Sequence, residues 1–164
     1  MLFNNKEEIN QALQGIATQD NSNLVINNAD KLRGDILDKL VLNAAINPSA
    51  EVKGLSRFII KAAALELGIV NSSIQGLYEA RGRGEIKGFT VPALNIRGLP
   101  YELCRAIFRT AIKTDAGAFI FELAKSEMNY TFQKPQELSA VILAAAIKER
   151  YKGPVFIQGD HFQV

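Results

Sequence analysis

Cysteine is almost missing from this chain. Cys104, the single one, can close no internal disulfide, so the fold is expected to rest on packing in a reducing cytosol. Blocks of like charge are missing too. Nineteen basic residues against seventeen acidic leave a formal net charge of +2, spread along the chain. That pattern carries no nucleic-acid footprint. Long apolar runs are absent: the most apolar window, Phe58 to Val70, is broken by Lys61 and Glu66 and falls short of the ~20 residues that span a bilayer. No membrane segment is expected. The N-terminus, MLFNNKEEINQ, has neither the basic nor the apolar region of a secretion signal, so the sequons at Asn71 and Asn129 are read as chance matches. Histidine occurs once, as His161.

What is present suits a globular protein. With 48% hydrophobic and 22% charged residues, a chain of 164 can build one ordinary core or two small ones.

Residues 1 to 86 read as helix after helix, a small all-α N-terminal domain. A short helix over Lys6 to Ala17 gives way to the polar run Thr18 to Asn23, whose side chains compete for backbone hydrogen bonds and favour a loop. Ala29, Leu32, Ile36, Leu37, Leu40, Val41 and Ala44 then recur at spacings of three and four, on one helical face that ends at Asn47-Pro48. A longer helix follows from about Ser49 to Leu67, with Gly68 placed to cap it. A fourth, short one runs from Ser72 to Ala80, with Ser at its N-cap. Arg81-Gly82-Arg83-Gly84-Glu85 changes the composition abruptly. It is read as an exposed linker in preference to a basic loop that reaches a phosphate.

From residue 87 the pattern becomes strands alternating with helices, the signature of parallel sheet with right-handed crossovers. Phe89 to Ile96 is a strand with Pro92 at its beginning or at an irregular position. Tyr101 to Thr114 is a helix started by Pro100, and Ala118 to Leu123 a second strand. After a polar loop from Lys125 to Lys134, a helix runs from Pro135 through Tyr151. Pro154 to Gln158 makes a third strand. Three strands and two helices do not close a barrel, which takes eight strands and about 250 residues. The chain is therefore expected to be the front of a longer protein, or to pair with a second copy as a homo-oligomer that covers the third strand's open edge.

Functional groups in such folds gather at the carboxyl ends of parallel strands. Three polar sets fall there: Asn95 with Arg97; Glu122 with Lys125, Ser126 and Glu127; and Gln158, Asp160 and His161. A neutral imidazole is a common metal ligand and a neighbouring carboxylate a general acid or base, so Asp160 and His161 can divide those tasks. Alternating residues face opposite ways, however. Both reach one site only if the strand curls, a turn that Gly159 would allow. Ser126 and Glu127 read most simply as a turn or helix cap. Arg97 either holds an anionic substrate or sits in solvent. Cys104 reads as a small buried hydrophobe.

Phe89-Thr90-Val91-Pro92-Ala93-Leu94-Asn95, a helix, a second strand and then Val155-Phe156-Ile157-Gln158-Gly159-Asp160-His161 resemble the start of the class II, metal-dependent fructose- and tagatose-bisphosphate aldolases. The resemblance covers residues 87 to 164 and implies the start of a TIM barrel and a cytoplasmic lyase of carbohydrate metabolism. It also implies a phosphorylated sugar as substrate and zinc as cofactor. Asp160 would be the catalytic acid or base, His161 a zinc ligand and Asn95 a substrate contact. The family's second-strand serine, a phosphate contact, aligns nearest Ala124, with Ser126 displaced by two positions. The remaining zinc histidines and glycine-rich phosphate loops belong to later strands, so at most one family zinc ligand is expected here. The Tyr130-Thr131 loop and Gly159-Asp160-His161 are also similar to the non-catalytic helper subunits of tagatose-bisphosphate aldolase.

Overall fold

The structure, a computed structural model, describes residues 1–20 and 23–162. Asn21 and Ser22 of the predicted polar loop lie outside those residues, as does Gln163 of the terminal stretch. The chain is mixed α/β, with a four-stranded parallel sheet, helices packed on it, and a separate two-stranded antiparallel pair. No helix among the described residues is long and apolar enough to cross a membrane.

Asn5 starts α1 (Lys6–Ala12) by accepting the Glu8 amide at 3.0 Å, which satisfies one of the first-turn donors. The predicted all-helical run does not continue. Ala17–Asp20 and Asn23–Ile26 form β1 and β2, an antiparallel pair in register Ala17↔Ile26, with Asn27 Nδ2 donating to Thr18 Oγ1 at 2.8 Å. Each strand has four residues, too few for period-2 alternation to stand out from a polar loop.

The next helix is also not continuous. A short α2 (Ala29–Lys31) passes through a widened turn at Leu32–Ile36 into α3 (Leu37–Ile46), and Gly34 sits at the kink with ψ −149°. The kink has partners. The Gly34 carbonyl accepts Lys148 Nζ at 3.2 Å, and Arg33 Nε donates to the Ile147 carbonyl at 2.9 Å. Ser49 caps α4 (Ala50–Glu66) through the Val52 amide. Beyond its end Gly68 takes φ +77°, as predicted for a cap, and turns the chain into β3 (Ile69–Ser72). This strand corrects the all-α expectation a second time. It lies at the end of an apolar window too short to separate strand from helix by period.

α5 (Gln75–Gly82) begins after Ser73 Oγ accepts the Gln75 amide at 3.2 Å. The predicted linker, residues 81–85, is exposed, and its arginines are engaged locally. Arg81 donates to the Phe89 carbonyl and Arg83 pairs with Glu85. Next come β4 (Ala93–Asn95), α6 (Pro100–Thr114), β5 (Ile120–Ala124), a short α7 (Glu127–Thr131) inside the predicted loop, α8 (Pro135–Lys148) and β6 (Gly153–Asp160). Pro92 stands just before β4, as expected for a residue with no amide proton, and its carbonyl accepts the Ile120 amide at 2.9 Å.

The sheet order is β3-β6-β5-β4, all parallel, with registers Ile69↔Gly153, Ile120↔Phe156 and Ala93↔Ile120. On one face Phe121, Leu123 and Val155 are buried beneath the helices. There Phe108 of α6 meets Phe121 at 5.4 Å and Tyr151 at 4.9 Å between ring centroids. α8 touches α3, α4 and α6 as well as β3, and one hydrophobic core runs from Phe3 to Val155. The other face presents the polar residues Asn95, Glu122, Gln158 and Asp160, with the small Ala124 among them.

Candidate functional site at the strand ends

Register places the site. Asn95 pairs with Glu122 and Glu122 with Gln158, while Ala124 pairs with Asp160 one row nearer the carboxyl ends. In the row of Asp160 the intervening strand contributes only the methyl of Ala124. That small side chain leaves room for Asn95 to reach past it, and Asn95 Nδ2 donates to Asp160 Oδ2 at 3.2 Å.

The same amide nitrogen donates to Glu127 Oε2 at 3.3 Å, and that oxygen also accepts the Ala124 backbone amide at 3.0 Å. The other oxygen, Oε1, takes Arg97 Nε at 2.5 Å. Glu127 is 3% exposed, whereas Arg97 is 60% exposed. Burial pushes the Glu127 carboxyl up, but the Ala124 amide, Asn95 and Arg97 together outweigh it and hold the group below the ordinary carboxylate value. Glu127 raises the Arg97 guanidinium in return.

At the far end of the set His161 Nδ1 lies 2.6 Å from Asp160 Oδ1. The strand ends at Asp160, and His161 takes φ +51°, the left-handed region that histidine tolerates better than most side chains. The curl needed to bring both to one place is therefore made by His161 itself. Gly159 serves differently from the expectation: its backbone is not left-handed, and its missing Cβ leaves space for the Phe162 ring, which would otherwise lie 2.6 Å away. In the tautomer that donates Nδ1–H to Asp160, the lone pair of His161 sits on Nε2, on a side chain 83% exposed.

Three of the four predicted site residues, Asn95, Asp160 and His161, are thus in one chain of contacts. Ser126 is not. It is exposed at the start of α7, its side chain makes no bond into the set, and Glu127 beside it takes the inward position. Glu127 is the residue that the sequence reading passed over as a cap. An arginine two residues beyond Asn95 and an acid just past the next strand were the available signal: opposite charges at neighbouring strand ends. Glu122 and Gln158 form a further hydrogen-bonded pair one row below.

Cys104 is fully buried and its thiol is pushed up to about 12 by that burial, which removes it as a nucleophile. For zinc, the donor set falls short. Among the described residues no three of His, Cys, Asp or Glu are grouped to hold a metal, while a catalytic zinc takes three protein ligands. Two cavities flank β6, of about 590 and 420 Å³; Gln158 lines both, and the Asn95, Glu127, Asp160 set lines neither.

Fold and site define an α/β protein with a polar network across the carboxyl ends of adjacent parallel strands. Comparison of the chain with protein-family models, with curated proteins and with solved structures gave no match.

Proposed function

We propose that this chain is class II aldolase-like, cleaving or forming a carbon-carbon bond of a phosphorylated ketose such as fructose 1,6-bisphosphate. The observation that supports the reading is the meeting of Asn95, Asp160 and His161 at the ends of parallel strands that are far apart in sequence. In this reading β4, β5 and β6 are the first three strands of a TIM barrel. They are neighbours in sequence order with α6 and α8 as crossovers, although a barrel continuing from β6 would have to displace β3 from its side.

Asp160 is the group for proton transfer. Oδ2 is held by Asn95 and Oδ1 by His161, and each oxygen keeps a second lone pair for a substrate hydroxyl. In the cleavage direction the carboxylate accepts the hydroxyl proton as the adjacent carbon-carbon bond breaks and a carbonyl forms. The bonding pair passes to the other fragment as an enediolate. Zinc belongs to the reading through the family resemblance, with His161 as one ligand. The described residues do not complete its site.

That shortage of ligands favours a second reading, a non-catalytic aldolase-like partner or assembly subunit. One assay separates the two. Purified chain is given fructose 1,6-bisphosphate with zinc, and triose phosphate release is followed. Cleavage that requires zinc and falls about 10²–10⁴-fold in Asp160→Ala supports the enzyme. Turnover that Asp160→Ala leaves unchanged rejects the role of Asp160, and absence of turnover with zinc present supports the helper.

A further inference from the structure

Glu127 is the joint of the strand-end set. Its two oxygens accept from β5 through the Ala124 amide, from β4 through Asn95, and from the segment after β4 through Arg97. Asn95 in turn has an acceptor on each side of its amide nitrogen, Glu127 Oε2 at 3.3 Å and Asp160 Oδ2 at 3.2 Å. An amide NH2 can donate to both, whereas its carbonyl oxygen can donate to neither. Turned the other way, Asn95 would set an oxygen against two carboxylates. The side chain is therefore locked in one orientation, with both hydrogens engaged and Oδ1 left as its acceptor.

We propose that Glu127 is a positioning residue: its buried carboxylate fixes the Asn95 amide so that Asn95 holds Asp160 Oδ2, without itself touching the reacting atoms. The kinetic part rests on the aldolase-like reading above; the orientation of Asn95 does not. Glu127 and Asp160 share no hydrogen bond of their own, and Asn95 is the side chain that bonds both. The side-chain route from Glu127 to the acid-base group is that one amide, beside the backbone route through Ala124.

Two measurements on the full chain test this. By NMR, the side-chain amide hydrogens of Asn95 exchange with water at least about tenfold faster in Glu127→Gln than in the wild type, because one of the two acceptors that restrain them has lost its charge. In the cleavage assay Glu127→Gln lowers kcat roughly 10–100-fold with KM nearly unchanged, the size expected of a misplaced group. Combined with Asn95→Ala, it adds nothing to the loss from Asn95→Ala alone. A merely structural role would lower turnover in both backgrounds. Glu127→Asp keeps the charge but withdraws it by one methylene, and gives the same two readouts if Glu127→Gln does not fold. Unaltered Asn95 exchange, or additive losses in the double variant, overturns the proposal. A wild type that cleaves nothing while Glu127→Gln still frees Asn95 sinks the aldolase reading and leaves the positioning role standing.

Discussion

Glu127 puts a charge where only 3% of the side chain meets solvent, and it remains ionised because every lone pair it turns inward has a donor. The consequence for stability has a definite sign. A carboxyl whose folded value lies below its ordinary 4.5 stabilises the fold above that value, and the contribution is lost as pH falls through the depressed folded value. Glu127→Gln should therefore lower stability near neutral pH by about 1–3 kcal/mol, toward the lower end because solvent screens the exposed Arg97 partner. The gap in Tm between wild type and variant should narrow once pH drops below 4.5. Thermal melts of both proteins across that range check it, and a gap that widens in acid would contradict the assignment. Sequence showed three members of this network and missed Glu127, which ties Asn95 to Arg97 and to the backbone of β5. Asn95, Asp160 and His161 were legible because strand-end position singled them out. Glu127 was not, because a carboxylate after a serine at a helix start has the same pattern whether it caps the helix or turns inward. Only the bonds that Glu127 makes to Ala124, Asn95 and Arg97 separate the two.

Among the elements, α8 carries the most constraint. Leu138 and every residue from Ala140 to Ile147 are buried, so this helix is apolar on all sides, as befits a helix enclosed by neighbours and unlike a surface helix with one wet face. Its run Ala144-Ala145-Ala146 lets α3, α4 and α6 approach closely. Ala144→Leu adds volume where nothing can move aside without shifting a helix, and should cost about 1–3 kcal/mol. Denaturant titration measures it, and a variant as stable as wild type would show slack in the core. The helices α4, α6 and α8 were readable from spacing and from Pro100 and Pro135. The strands β1, β2 and β3 were not: each has four residues, and none stands in the strand-helix alternation that made the three-residue β4 readable. β3 in particular takes its strand form from pairing with β6, a partner some 84 positions later in register, Ile69 against Gly153. Local sequence holds no trace of such a partner.

At the scale of the whole molecule, the abrupt change of composition near Gly84 suggests a junction between an N-terminal and a C-terminal unit. Segments before it and after it share the sheet through β3 and β6, and share the core through α3, α4 and α8. Polar ties cross the same line. Lys148 reaches Asp38 at 2.7 Å, Tyr101 donates to Asp38 at 2.8 Å, and Arg57 pairs with Glu137 at 3.6 Å. A fragment of residues 87–164 would thus uncover the flank of α8 that faces α3 and α4, and would give β6 a bare edge. Expressed alone, it should show no cooperative thermal transition by circular dichroism and should aggregate, whereas the full chain should melt in one step. Adding residues 1–86 in trans should restore a folded complex, because the missing surface is then supplied without a covalent link. A fragment that melts cooperatively by itself would establish a boundary near residue 86 and confine the role of the N-terminal elements to something other than completing this core.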